Sequence, residues 1–177
     1  MSEKVKESEK VKERKLRAFR IRTTKGLAIK IRNFGVPDIR RVVEIEENSS
    51  LDGDAGLYLE VYEEWQEGFL VAEREKEGKE KEEVIGFIVL VLTPEGEGRV
   101  FAIAVDSRYR GKGVGRALLK AGFSVLRKRK IGFVELEVRV SNVVAQRLYS
   151  SLGFLEVGFV PLYYKDGESA IFMRKVL

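Results

Sequence analysis

Two residue types are missing altogether: the 177 residues contain no cysteine and no histidine. Without cysteine there is no disulfide, no thiolate metal site and no thiol nucleophile. Without histidine the commonest general base and the commonest metal ligand are both lost, and a Ser-His-Asp triad is excluded. No metal site is therefore expected, and proton transfer falls to Glu, Asp, Tyr, Lys or water. Long hydrophobic runs are also missing. None approaches the ~20 residues of a membrane span, and no leader-like stretch opens the chain, so a cytoplasmic protein with no membrane partner is the expectation. Finally, there is no strong excess of one charge. A formal net charge of +5 suits an anionic ligand but is too small and dispersed to indicate direct nucleic-acid binding.

What is present is a globular composition, 44% hydrophobic and 34% charged, in a chain long enough for one domain with a full core. Residues 1–15, almost entirely Glu, Lys, Ser and Val, read as a flexible charged tail, and 16–177 as one domain without internal repeats. Alternation on either side of Thr24-Lys25-Gly26 predicts a hairpin of strands at 16–23 and 27–32. Pro37 and Asp38 open a helix to about Glu47. A polar loop at 48–56 leads to a second helix at 57–65. Strands are predicted at 69–72, 84–92 and 99–105, a helix at 116–127 and a strand at 133–138. A short helix at 143–151 stops at Gly153, a residue suited to a helix C-terminus. A last strand pair, 154–160 and 169–176, is joined through Asp166-Gly167. This order implies an α/β or α+β domain on one mixed sheet.

The densest signal lies between the 99–105 strand and the helix after it. Gly111, Gly113 and Gly115 stand at every second position among Arg108, Arg110, Lys112 and Arg116. Glycines let backbone approach a ligand closely, and a helix start offers unpaired N–H groups with partial positive charge. Together they form a phosphate cradle. A P-loop would need Ser or Thr after Gly-Lys, but Gly113 follows Lys112. A dinucleotide fingerprint needs Gly-x-Gly-x-x-Gly directly after a strand, with further βα units to follow, and neither is present.

The stretch from Val105 to Leu119, with Arg110, Gly113 and Gly115 as its Arg-x-x-Gly-x-Gly core, resembles the acetyl-CoA signature of the GCN5-related N-acetyltransferase (GNAT) superfamily. Leu136-Glu137-Val138-Arg139, Asn142, Leu148-Tyr149 and Leu152-Gly153-Phe154 resemble the ribosomal-protein alanine N-acetyltransferases (RimI type). Tyr163-Tyr164-x-Asp166-Gly167-Glu168 resembles the end of the protein N-terminal acetyltransferases. The likeness runs from about residue 27 onward. The 48–56 loop carries none of the prolines or aromatics the family usually has there.

The resemblance implies a GNAT fold: a central mixed, mostly antiparallel sheet, splayed at the acetyl-CoA site, with flanking helices. The hairpin strand at the N-terminus would be an addition to it. The resemblance also implies roles. Acetyl-CoA would be the cosubstrate, with the backbone of Arg110, Gly111, Lys112, Gly113, Val114, Gly115 and Arg116 around its pyrophosphate. Ile103, Ala104 and Val105 would offer backbone groups to the pantetheine and thioester, and Asn142 would bond the cofactor arm. Glu137 would act as base through water, its position beside an apolar sheet raising its pKa. Tyr149 would protonate the departing thiolate, and Tyr163 and Tyr164 would line the acceptor channel. Direct transfer in a ternary complex follows, with catalysis from positioning and backbone donors. The implied acceptors are protein or peptide N-termini, ribosomal proteins among them. An α-amine, with pKa about 8 against about 10.4 for lysine, needs only weak base help. Two other functions fit the same residues: acetylation of a small amine such as a polyamine, antibiotic or metabolite, and CoA binding without catalysis.

Overall fold

A computed structural model describes residues 18–49, 55–75 and 82–177. The 1–15 segment, the middle of the 48–56 loop and most of the charged turn before residue 83 lie outside the described residues. The strands are β1 (Phe19–Arg22), β2 (Ala28–Asn33), β3 (Phe69–Arg74), β4 (Glu83–Leu92), β5 (Gly98–Val105), β6 (Phe133–Arg139), β7 (Leu155–Val160) and β8 (Ala170–Val176). The helices are α1 (Ile39–Glu47), α2 (Ala55–Glu64), α3 (Val114–Lys128) and α4 (Val143–Ser150). The eight strands form one sheet in the order β1-β2-β3-β4-β5-β6-β8-β7. This is the mixed α/β architecture the residue pattern implied, with β1 as the added hairpin strand.

Both faces are covered. β4 is buried along most of its length, as expected of an apolar strand between two layers. On one side, α3 presents Val114, Ala117, Leu118, Ala121, Val125 and Leu126 at helical spacing against Ile29, Leu70, Ile88 and Leu90 of the sheet. α4 extends this layer through Tyr149, whose ring packs edge-on to Phe154, 5.7 Å away. On the other side, Val42 and Ile45 of α1 and Tyr58 of α2 pack with Phe34, Phe69 and Phe87. Phe34 and Phe69 stack at 4.1 Å. No helix of the described residues is long and apolar enough to cross a membrane.

Two irregularities shape the middle of the sheet. Val100 pairs with Leu90 and Ala102 with Val89, so Phe101 is an extra residue in β5. Such a bulge turns the strand by one residue. Val100 accordingly packs in the α3 layer, while Ala102 and Ala104 pack with α1 and α2. The second irregularity is at β5 and β6, which run parallel and share only two pairs, Gly98↔Val134 and Arg99↔Glu135. Beyond these the strands part. Along Val100–Val105, β5 is bonded to β4 alone, and β6 from Leu136 onward to β8 alone.

Leu118, fully buried under the sheet, tests the α3 layer. Leu118→Ala is expected to lower stability by about 3 kcal/mol. A denaturation midpoint shifted with unchanged slope would show it, and an unshifted midpoint would mean that α3 is not packed as described.

Candidate active site

The parting of β5 and β6 opens a cavity of about 1040 Å³, at the upper end of ligand clefts, which run ~300–1,000 Å³. Its floor is the two diverging strand edges, Val100–Val105 and residues 136–139. The backbone groups of β5 on this edge have no ladder partner, so they remain for a ligand to pair with.

The glycine loop closes one end. Asp106 caps the turn Ser107–Tyr109 by accepting from the Arg108 backbone N–H at 2.9 Å, and Arg41 of α1 also bonds its carboxylate. Arg108 first, with Arg41, holds the Asp106 carboxyl well below the usual carboxylate range. From this anchored turn the chain enters α3 through Gly111 (φ 71°) and Gly113 (φ 85°), both left-handed. Gly113 is the N-cap of α3, and no side chain caps the helix. The first-turn N–H groups of Val114, Gly115 and Arg116 are thus left for an anion at the cavity wall. A side chain at Gly113 is excluded twice, by φ and by space: a Cβ would lie 2.8 Å from Thr24 Oγ1. The open first-turn N–H groups beside the cavity suit a phosphate group, and the crowding at Gly113 keeps the loop close against the β1–β2 turn.

Ile103, Ala104, Val105, Arg110, Gly111, Gly113, Val114, Gly115, Arg116, Asn142, Glu137, Tyr149, Tyr163 and Tyr164 all line this cavity. Lys112 does not. Its Nζ lies over the Tyr109 ring, 5.2 Å from the centroid, while its backbone stays in the loop. The other loop cations are likewise engaged. Arg108 pairs with Asp106 and Glu83, Arg110 donates to the Val105 and Asn48 carbonyls, and Arg116 donates to Ser151 Oγ at 2.6 Å.

Glu137 has different surroundings from those its sequence context suggested. Its side chain is about 10% exposed, and the Arg99 guanidinium binds both carboxylate oxygens, with Nε 3.1 Å from Oε2. A fixed ionic partner, rather than bare apolar sheet, holds this carboxylate. Arg99 sits beside it because the last shared β5–β6 pair brings Arg99 opposite Glu135, two residues away. Nothing in the local sequence shows that register.

Tyr149 is buried, and its hydroxyl bonds no described residue. Burial first, then Tyr164, pushes its pKa up, so it remains protonated and able to donate. Asn142 is the N-cap of α4: its Oδ1 accepts from Ala145 N at 3.1 Å, leaving its NH2. Tyr58 seals the α2 wall, donating to the buried Glu46 carboxylate at 2.9 Å. Burial and Glu46 raise its pKa.

The far end is the β7–β8 connection. Tyr164 N bonds Glu168 O and Gly167 N bonds Tyr164 O, closing the turn expected at Asp166-Gly167. Arg139, almost wholly buried at the end of β6, secures it. One face of the guanidinium lies 3.9 Å from the Tyr164 ring centre, and Nη1 reaches Asp166 and Glu168 at 2.8 and 2.9 Å. Arg139 and Thr24-Lys25 of the β1–β2 turn line the cavity, and Arg99 holds the lining residue Glu137 from behind; sequence reasoning left all of them unassigned.

The acetyltransferase (GNAT) family model matches residues 39–154. An N-alpha-acetyltransferase of Sulfurisphaera tokodaii is 33% identical over 166 residues, covering 86% of this chain and 96% of that protein. The [ribosomal protein bS18]-alanine N-acetyltransferase of Escherichia coli is 48% identical over 80 residues, 44% of this chain and 54% of that protein. The crystal structure of Ard1 from Thermoplasma volcanium superimposes with a TM-score of 0.77 at 34% identity, covering 84% of this chain and 97% of that one.

Two outcomes follow from the geometry. Gly113→Val is expected to abolish CoA binding, read by calorimetry; a variant binding CoA with wild-type affinity would remove the cradle. The second concerns acid. The Glu168 backbone N–H, then Arg139, hold Asp166 below its ordinary pKa. Ser141, through its backbone N–H and hydroxyl, and then Arg139 do the same for Glu168. Folded values below unfolded ones mean that the latch contributes fully above about pH 5 and is lost progressively as pH falls through the folded values. Protection of the 163–168 amides, taken relative to their intrinsic exchange rates at each pH, should therefore fall below about pH 4 ahead of global unfolding. Uniform exchange across the chain would show that the latch does not hold the loop.

Proposed function

This chain belongs to the acetyltransferase (GNAT) family, and we propose that it transfers acetyl directly from acetyl-CoA to the N-terminal α-amine of proteins or peptides. One observation carries the reading: a single cavity joins the glycine loop at one end to the Tyr163–Lys165 rim at the other, with Glu137 and Tyr149 on its walls between. The likeness to N-alpha-acetyltransferases over most of both chains supports the same acceptor.

The loop backbone from Arg110 to Arg116 would hold the pyrophosphate, and the unpaired edge of β5 would bond the pantetheine arm and polarise the thioester carbonyl. Acetyl-CoA supplies an acyl carbon activated by a thiol leaving group. Tyr163 and Tyr164 would hold the entering amine, on a loop fixed by Arg139. Glu137, fixed in place by Arg99, would take the amine's proton through water as the N–C bond forms. Tyr149 would give its proton to sulfur as the C–S bond breaks, a role suited to a hydroxyl kept protonated by burial. With the amine placed against the acyl carbon, positioning supplies much of the rate.

Incubation with acetyl-CoA and a short-peptide library, read by mass spectrometry, should give products acetylated on the α-amine. Acetylation of small amines alone would overturn the acceptor assignment, and CoA binding without turnover the catalytic one. Glu137→Gln and Tyr149→Phe are each expected to lower kcat by about 10²-fold or more while leaving CoA affinity nearly unchanged. Full activity in either variant would remove that residue's role.

A further inference from the structure

The β1–β2 turn lies against the phosphate cradle, although it belongs to the added hairpin rather than to the region matching the family model. Its contact with the glycine loop is close. A Cβ on Gly113 would lie 2.8 Å from Thr24 Oγ1, 3.1 Å from Thr23 Cβ and 3.2 Å from the Thr24 backbone nitrogen. Gly113 is therefore the point at which turn and loop touch, and both Thr24 and Lys25 line the cavity there.

The turn is held firmly. Thr23 is buried, and its Oγ1 accepts from Leu27 N at 3.2 Å and from Lys25 N at 3.4 Å. Thr23 N bonds Leu27 O, and Gly26 N bonds Thr23 O, both at 2.9 Å. Gly26 takes the left-handed conformation that closes the turn. Behind it, Ile29 and Ile31 anchor β2 in the core.

Charge decides what this wall is for. A CoA phosphate needs cations; Arg108 is paired to carboxylates and Lys112 lies on Tyr109, while Arg110 and Arg116 keep their charge but have guanidinium N–H groups already given to neutral oxygens of the protein. Lys25 also lines this end, is exposed, and forms no salt bridge among the described residues. The Thr24 hydroxyl stands beside it as a second donor. We propose that the β1–β2 turn is the outer wall of the phosphate cradle, with the Lys25 ammonium binding a phosphate of CoA, either the pyrophosphate or the 3′-phosphate.

This assignment rests on the acetyl-CoA reading, and calorimetry separates the two. Wild-type protein is titrated with CoA and with dephospho-CoA, which lacks the 3′-phosphate, and Lys25→Gln and Lys25→Arg follow. Lys25→Gln should weaken CoA about five- to tenfold at low ionic strength, Lys25→Arg should recover most of the loss, and about 0.5 M salt should shrink the difference. KM for acetyl-CoA should rise with kcat unchanged. A penalty that persists with dephospho-CoA assigns Lys25 to the pyrophosphate; one that vanishes assigns it to the 3′-phosphate. Wild-type affinity of Lys25→Gln for both ligands would overturn the proposal alone. A wild-type protein that binds neither ligand would overturn the cofactor reading and this proposal with it.

Discussion

The parting of β5 and β6 is the constraint on which the site depends. Two residue pairs hold these strands together, and beyond them each keeps its ladder on the outer side only. A continuous sheet would have no room for a ligand between its strands and no unsatisfied backbone to receive one. Because α3 connects β5 to β6, its N-terminus lies at the open end of the wedge. The anion cradle and the bare strand edge are thus consequences of one topology.

Much of this was legible in the residues. Helix and strand positions follow from local periodicity and punctuation: Gly26, Gly153 and Gly167 each take a positive φ where the sequence pattern placed a turn or a helix end. The glycine loop was equally plain, since Gly111 and Gly113 adopt conformations that few other residues tolerate. Glu137, Tyr149, Asn142, Tyr163 and Tyr164 converge on one cavity, although their segments were recognised through family likeness rather than through any visible spacing between them.

What the residues concealed belongs to register and to long-range packing. Arg99 and Glu137 are 38 positions apart, and their pairing is set by where two parallel strands begin to share hydrogen bonds. The extra residue Phe101 shifts which β5 side chains face which helices, and simple alternation through 99–105 conceals it. Lys112 belongs to a cationic run, yet the tight backbone around it sends its ammonium to Tyr109. Thr24 and Lys25 look like an ordinary hairpin tip until the fold brings Gly113 against them.

The two ends of the cavity are held by different forces. At the glycine end, the fit rests on backbone conformation and close contact, backed by the Asp106 carboxylate, which is almost wholly buried where it pairs with Arg108 and Arg41. At the tyrosine end, Arg139 holds the rim through carboxylates that are partly open to water, and the Asp166 side chain is 60% exposed. Contacts of that kind are screened by salt and cancelled by acid. The turn that leads into the glycine loop thus keeps its shape over a wider range of acid and salt than the Tyr163–Glu168 rim, and it is the rim that the ionic medium loosens first.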